Sequence, residues 1–288
     1  MHWHKVTIAA DASEAELIES LFWDNGALSV TLTDPADVPI YEPEPGTTPL
    51  WSALEICGLF EQESDVTSIV AEFEAQGHVV NQVETLAERV WEREWLSQFQ
   101  PMPFGQRLWI VPTEFEVPDA AEVAVRLDPG LAFGTGTHAT TALILTWMDG
   151  YDFTKRSVLD YGCGSGILAI AALLLGAKAC EAVDLDPQAI CATDDNAQLN
   201  GVSDRLKALL PAQFDPKPYD VVLANILAEP IIAMAQKLTE CLAPGGILVL
   251  SGIMTSQQEM VEAHFQDDLQ FIDQYEREGW LCLVARRC

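Results

Sequence analysis

Apolar positions in residues 1–85 alternate in some stretches and recur at helical spacing in others. Trp3 to Ala10 reads as a strand. Leu17, Ile18, Leu21 and Phe22 then recur at helical spacing as far as Asn25-Gly26, with Ser13-Glu14-Ala15-Glu16 as a capping box at the start. Ala27 to Thr33 alternates as a strand. Residues 34–49 carry five prolines, at 35, 39, 43, 45 and 49, and are too broken for regular structure. Leu50 to Phe60 reads as another strand. Ser64-Asp65 opens a helix carrying Ile69, Val70 and Phe73 and ending at Gly77, and His78 to Val83 is a last strand. The order β-α-β-β-α-β predicts a ferredoxin-like α+β domain over residues 1–85. Residues 84–99 are polar and helix-prone, with Trp91 and Trp95 on one face, until Pro101 and Pro103 break the run. A linker helix over 86–103 and a second domain over 104–288 follow.

In the second part, strands alternate with helices. Arg107 to Val111 is a strand followed by an acidic loop. Residues 127–141, dense in glycine and threonine, read as a ligand-covering loop leading into a helix through Leu143, Ile144 and Trp147, with Thr140 or Thr141 as its cap. Ser157-Val158-Leu159 is a short β-prone run, and residues 167–175 form an apolar helix ending at Gly176. Glu181 to Asp184 is a second strand, Pro187 starts a helix, and Leu206 to Leu210 and Tyr219 to Ala224 are two more strands. Pro230 to Leu242 reads as a helix closed by Pro244-Gly245-Gly246, Ile247 to Ser251 as a fifth strand, and Ser256 to Phe265 as a helix. A terminal hairpin spans 269–275 and 280–285. Such alternation predicts a doubly wound parallel sheet, and an antiparallel last strand fits a seven-stranded sheet.

Between the first of these strands and its helix lies the motif DYGCGSG, residues 160–166. A strand that turns through glycines into a helix presents free N–H groups and the positive end of a helix dipole to a ligand. Asp184 stands about 20 residues on, where a nucleotide-binding fold places the acid that holds ribose hydroxyls. The glycines at 162, 164 and 166 depart from G-x-G-x-x-G, and the motif after Gly136 is no P-loop. An acid at 160 is awkward beside a pyrophosphate and suits a ligand with a free amino group. S-adenosylmethionine has an ammonium, a sulfonium and a ribose but no phosphate, so this order resembles the class I methyltransferases.

The 288 residues carry 15 basic and 44 acidic side chains, a net charge of −29. Such acidity disfavours a broad nucleic-acid interface and attracts a basic protein; solubility or adaptation to a salty cytoplasm accounts for it equally well. No run approaches the ~18 apolar residues of a membrane span, and the first residues lack the features of a signal peptide. The expected location is therefore the cytoplasm. Seven cysteines without a C-x-x-C pair point to reduced thiols and to no metal site.

Three stretches make the resemblance closer: residues 127–138 (LDPGLAFGTGTH), residues 160–170 (DYGCGSGILAI) and residues 225–228 (NILA). With the WEREW run at 91–95, they are similar to the bacterial methyltransferases of large-subunit ribosomal protein eleven, over nearly the whole chain. The resemblance implies methyl transfer from S-adenosylmethionine to lysine ε-amines and the N-terminal α-amine of a basic ribosomal protein, held by the N-terminal domain. It implies cofactor contacts at Thr141, Gly162, Asp184 and Asn225, and the glycine turn adds Gly164. Ala139 and Tyr161 stand where proline and phenylalanine are common in the family. No general base is identified: His138 is the only histidine near the site by sequence, and shaping its loop accounts for it at least as well. Rival readings are a base-modifying enzyme, a nicotinamide-dependent oxidoreductase and an idle binding protein. Against the first, Ile-Leu-Ala after Asn225 leaves no aromatic residue to stack a flipped base.

Overall fold

The computed structural model describes residues 2–36, 50–87, 100–127 and 136–288. By its contacts the chain divides into two units, residues 1–92 and 93–288.

In the first unit, β1 (His2–Asp11), α1 (Ala15–Asp24), β2 (Ser29–Thr33), β3 (Ala53–Glu61), α2 (Val66–Ala75) and β4 (Val80–Ala87) follow in order. The strands form a four-stranded sheet in the order β2-β3-β1-β4 with every pairing antiparallel. Alternate residues of the central strands, Val6, Ile8, Leu54, Ile56 and Phe60, turn to one face. There they pack with Ile18 and Phe22 of α1 and Ile69 and Phe73 of α2. Two boundaries differ from expectation. The entry to α1 is capped two residues earlier than Ser13: the Asp11 N–H donates to Glu14 Oε2 at 3.3 Å, and a 3₁₀ turn over residues 12–14 intervenes. The strand expected to stop at Val83 runs on to Ala87, because β1 begins at His2 and offers ladder partners that far. An ion pair between Lys5 and Glu84 at 3.6 Å accompanies the extension. Residues 86 and 87 therefore belong to the sheet and not to a linker helix; residues 88–99, with Trp91 and Trp95, lie outside the described residues.

The second unit opens with a small sheet, β5 (Met102–Phe104), β6 (Leu108–Pro112) and β7 (Val123–Leu127). Its order is β5-β6-β7, with β5 antiparallel and β7 parallel to β6. Neither β5 nor β7 is expected from the sequence. Pro103 reads as a breaker, yet it occupies an edge strand, where a missing N–H is tolerated. Val123 to Leu127 is hidden behind the acidic loop before it. At the turn between β5 and β6, Asp149 accepts the N–H groups of Gln106, Arg107 and Leu108 at 2.7, 3.0 and 2.8 Å.

The remaining elements are α3 (Ala139–Gly150), β8 (Ser157–Tyr161), α4 (Ile167–Leu174), β9 (Ala179–Val183), α5 (Pro187–Leu199), β10 (Leu206–Leu209), β11 (Tyr219–Asn225), α6 (Ala228–Ala233), α7 (Ala235–Glu240), β12 (Leu242–Met254), α8 (Gln258–Glu262), β13 (Leu269–Arg277) and β14 (Trp280–Arg287). Their strands form a seven-stranded sheet in the order β10-β9-β8-β11-β12-β14-β13. Pairings are parallel from β10 to β12 and antiparallel at β14 and β13. Both faces are covered: Val221 and Leu223 of β11 join the core under α3 and α4, while Val222 and Ala224 join the core under α6, α7 and α8. The segment expected as one helix over 230–242 is two short helices that break at Met234, and β12 starts at Leu242. Among the described residues no helix is long and apolar enough to cross a membrane, and no cluster of His, Cys, Asp and Glu has metal-holding geometry. All seven cysteines are free thiols.

From β8 the chain crosses outward to β9 and β10, then returns to lay β11 on the other side of β8. The carboxyl ends of β8 and β11 thus flank the point where strand order reverses, which in open α/β sheets is where a ligand crevice forms.

Candidate active site

Three corners meet at this crevice. The first is the turn after β8, where Gly162, Gly164 and Gly166 have φ of 81°, 53° and 77°. These are left-handed values that only glycine adopts at little cost. Gly162 also has no room for a side chain: a Cβ there would stand 2.3 Å from Ile226 Cγ2. The turn is tied to β9, since the Gly162 and Cys163 N–H groups both donate to the Val183 carbonyl, at 2.7 and 3.1 Å. From α5, the Thr193 hydroxyl donates to the Gly164 carbonyl at 3.0 Å and the Asn196 amide to the Ser165 carbonyl at 2.9 Å.

The second corner is the end of β9. Asp184 accepts the Gly164 N–H at 2.9 Å with one oxygen and the Asp186 N–H at 3.0 Å with the other. Each oxygen keeps a second lone pair. Asp186 caps α5 by accepting the Gln188 N–H at 2.8 Å, with Pro187 at the first helical position.

The third corner is the end of β11. The Asn225 amide donates to the Thr141 hydroxyl of α3 at 3.0 Å. With its amide nitrogen donating to this fully buried residue, Asn225 keeps Oδ1 as an acceptor. Thr141 sits inside the first turn of its helix, and neither threonine expected as the cap fills that role. The cap is His138, whose Nδ1 accepts the Thr140 N–H at 3.4 Å and lies 2.9 Å from the Thr140 hydroxyl. Its ring meets Trp280 edge-on at 5.2 Å. Of the loop expected to cover the site, residues 128–135 lie outside the described residues.

These corners enclose a cavity of about 530 Å³ whose walls include Gly162, Gly164, Asp184 and Asn225. Four of the five residues singled out by sequence thus line one cavity, and Thr141 reaches it through Asn225. Tyr161, Leu185, Pro211 and Met234, none of them expected from the sequence as wall, line the same cavity. Leu185 is 83% exposed, an apolar surface beside the acid. Gly252 is also passed over. It lies at a register shift in β12, has φ of 85°, and a Cβ there would stand 2.2 Å from the Ile226 carbonyl oxygen. An isolated glycine inside an apolar strand is the sequence signal of such close approach.

Asp160 does not face the cavity as expected. It is fully enclosed, with Oδ2 accepting the Ala169 N–H in the first turn of α4 at 3.0 Å. Oδ1 has no hydrogen-bond partner among the described residues. Burial pushes its carboxyl up to about 7; the Ala169 N–H opposes that and the Asp184 charge adds to it.

The family model described as "Ribosomal protein L11 methyltransferase (PrmA)" matches residues 2–288. The chain is 47% identical to the ribosomal protein L11 methyltransferase of Pseudomonas aeruginosa (strain LESB58), over 100% of this chain and 99% of that protein. It is 46% identical to the protein of that description in Marinobacter nauticus, again over 100% and 99%. Among solved structures, the ribosomal protein L11 methylase of Lactobacillus delbrueckii subsp. bulgaricus aligns with a TM-score of 0.60 and 32% identity, covering 66% of this chain and 99% of that one.

Proposed function

The chain belongs to the ribosomal protein L11 methyltransferase family, and from that membership we propose that it methylates lysine ε-amines and the N-terminal α-amine of ribosomal protein L11, with S-adenosylmethionine as donor, in the cytoplasm. The observation that carries the cofactor reading is the convergence of the glycine turn, Asp184 and Asn225 on one cavity. Its size falls in the range of about 300–1,000 Å³ typical of small-molecule sites.

The residues present fit this donor. The space at Gly162, which a Cβ could not share with Ile226, lets a ligand's amino-acid portion lie against the turn. Asp184 has lone pairs left for two ribose hydroxyls, and its charge is unopposed by any phosphate. The exposed side chain of Leu185 and the ring of Pro211 offer apolar surface to an adenine. Bound S-adenosylmethionine supplies a methyl group made electrophilic by its sulfonium. Asn225 Oδ1, fixed by the bond to Thr141, accepts an N–H from the incoming amine and directs its lone pair inward. That alignment and exclusion of water are the protein's contribution. The amine must arrive neutral, against an ordinary lysine value of about 10.4. Among the described residues Asp184 is the one carboxylate in the cavity wall, and it is committed to its loop, so no general base is assigned.

The first unit is the natural holder of the substrate protein, with a seven-stranded class I methyltransferase domain as the second. The decisive experiment is mass spectrometry of purified L11 after incubation with this protein and S-adenosylmethionine. Additions in whole multiples of a methylene mass are expected, mapping to amines. An unmodified L11, with cofactor binding demonstrated by calorimetry, would overturn the substrate and retain the donor.

A further inference from the structure

Lys237, on α7, turns its ammonium to two aromatic rings. Its Nζ donates to the Tyr161 hydroxyl at 2.9 Å. The same nitrogen lies 5.0 Å from the centre of the Tyr161 ring and 5.4 Å from that of Phe214, both inside the reach of about 6 Å for a cation–π contact. The two rings meet edge to face, their centroids 6.2 Å apart. In a chain with 44 acidic residues, this lysine pairs with no carboxylate among the described residues. A half-buried cation with that choice of partners is held by the rings and the phenol.

The place of the contact gives it meaning. Tyr161 is the last residue of β8, directly before Gly162, and its side chain forms cavity wall. Met234, one helical turn before Lys237, forms another part of the wall, with Pro230 and Ala233 of α6. The helical side of the cavity comes from α6 and from Met234, the break at which α6 gives way to α7, and the two helices have six residues each. Helices this short hold their position by side-chain contacts and not by their own backbone bonds.

We propose that Lys237 is a positioning residue: its bond to the Tyr161 hydroxyl latches the α6–α7 wall to the end of β8 and sets how tightly the cavity takes its ligand. This rests on the donor reading above and adds a residue that touches neither donor nor amine. The charge and the hydroxyl act as one unit, so losing either opens the latch.

The test is calorimetric binding of S-adenosylmethionine to the full-length protein, its Tyr161→Phe, Lys237→Met and Lys237→Arg variants, and the double variant Tyr161→Phe/Lys237→Met. Each of the first two should bind about three- to tenfold more weakly, and the double variant no more weakly than either. Lys237→Arg should recover most of the affinity, because a guanidinium can donate to the hydroxyl and lie over both rings. Thermal unfolding without ligand separates a folding defect from a binding one. Unchanged affinity in both single variants, or losses that add in the double variant, would overturn the latch while the parent still binds. A parent that does not bind S-adenosylmethionine would overturn the donor reading and the latch with it.

Discussion

At the scale of single residues, Asp160 carries a measurable pH dependence. Its carboxyl is buried, half-satisfied and pushed up to about 7 from an ordinary 3.8. The folded state therefore holds this proton more tightly than the unfolded chain does, and the group's contribution to stability falls as pH rises from about 4 to about 7. Asp160→Asn keeps an oxygen for the Ala169 N–H and removes the titration. The melting temperature of the variant relative to the parent should therefore climb across that window and level off above it; a constant difference would count against the assignment. The sequence makes this residue visible and hides its direction. An acid two residues before a glycine turn looks aimed at a ligand, but alternation along β8 puts Asp160 on the α4 side and Tyr161 on the cavity side. Asp184 is legible as cavity wall, because a strand end beside the turn leaves its carboxylate one place to go. Tyr161, Pro211 and Met234 are not legible as cavity wall, since their side chains converge only after β8, β10 and α7 have packed.

Among elements, the corner after β11 is the most constrained. Ile226 is squeezed between Gly162 at the end of β8 and Gly252 in β12, with clearances that no Cβ could share on either side. Gly252→Ala is expected to destabilise the fold by about 1–3 kcal/mol through its left-handed backbone and the clash with the Ile226 carbonyl. It should also weaken cofactor binding by displacing Asn225. Gly245→Ala is the control: φ there is 72°, yet a Cβ would meet nothing within 4 Å. It should cost stability and leave binding unchanged, as thermal unfolding and calorimetry on the two variants would read out. The central strands are readable from hydrophobic runs because they are buried on both faces. Their glycine-mediated close approach shows only as the isolated Gly252, in a Ser251-Gly252-Ile253 stretch that otherwise reads as an ordinary buried strand. β5 and β7 are missed for a different reason: short strands beside proline and an acidic loop have too few alternating positions to show a period.

Across the whole molecule, charge is the dominant trait. Lys5 and Arg89 are the only lysine and arginine within residues 1–92, against a net −29 for the chain. If the first unit holds a basic ribosomal protein through this field, raising ionic strength from about 0.05 to 0.5 M should raise the KM for L11 severalfold, because the Debye length shrinks to a few ångströms. The Kd for S-adenosylmethionine should move little in the same series. Removing residues 1–87 should abolish methylation and spare cofactor binding, so retained methylation would relocate the recognition surface. Tyr161 pairs with Ala224 across α4, β9, α5 and β10, so the two rims of the cavity are joined by a long-range parallel contact whose loop-closure cost comes before any reward. During refolding, ligand capture should therefore appear with the last kinetic phase, after most helical signal has returned. A newly made chain would stay catalytically silent until translation has passed β11.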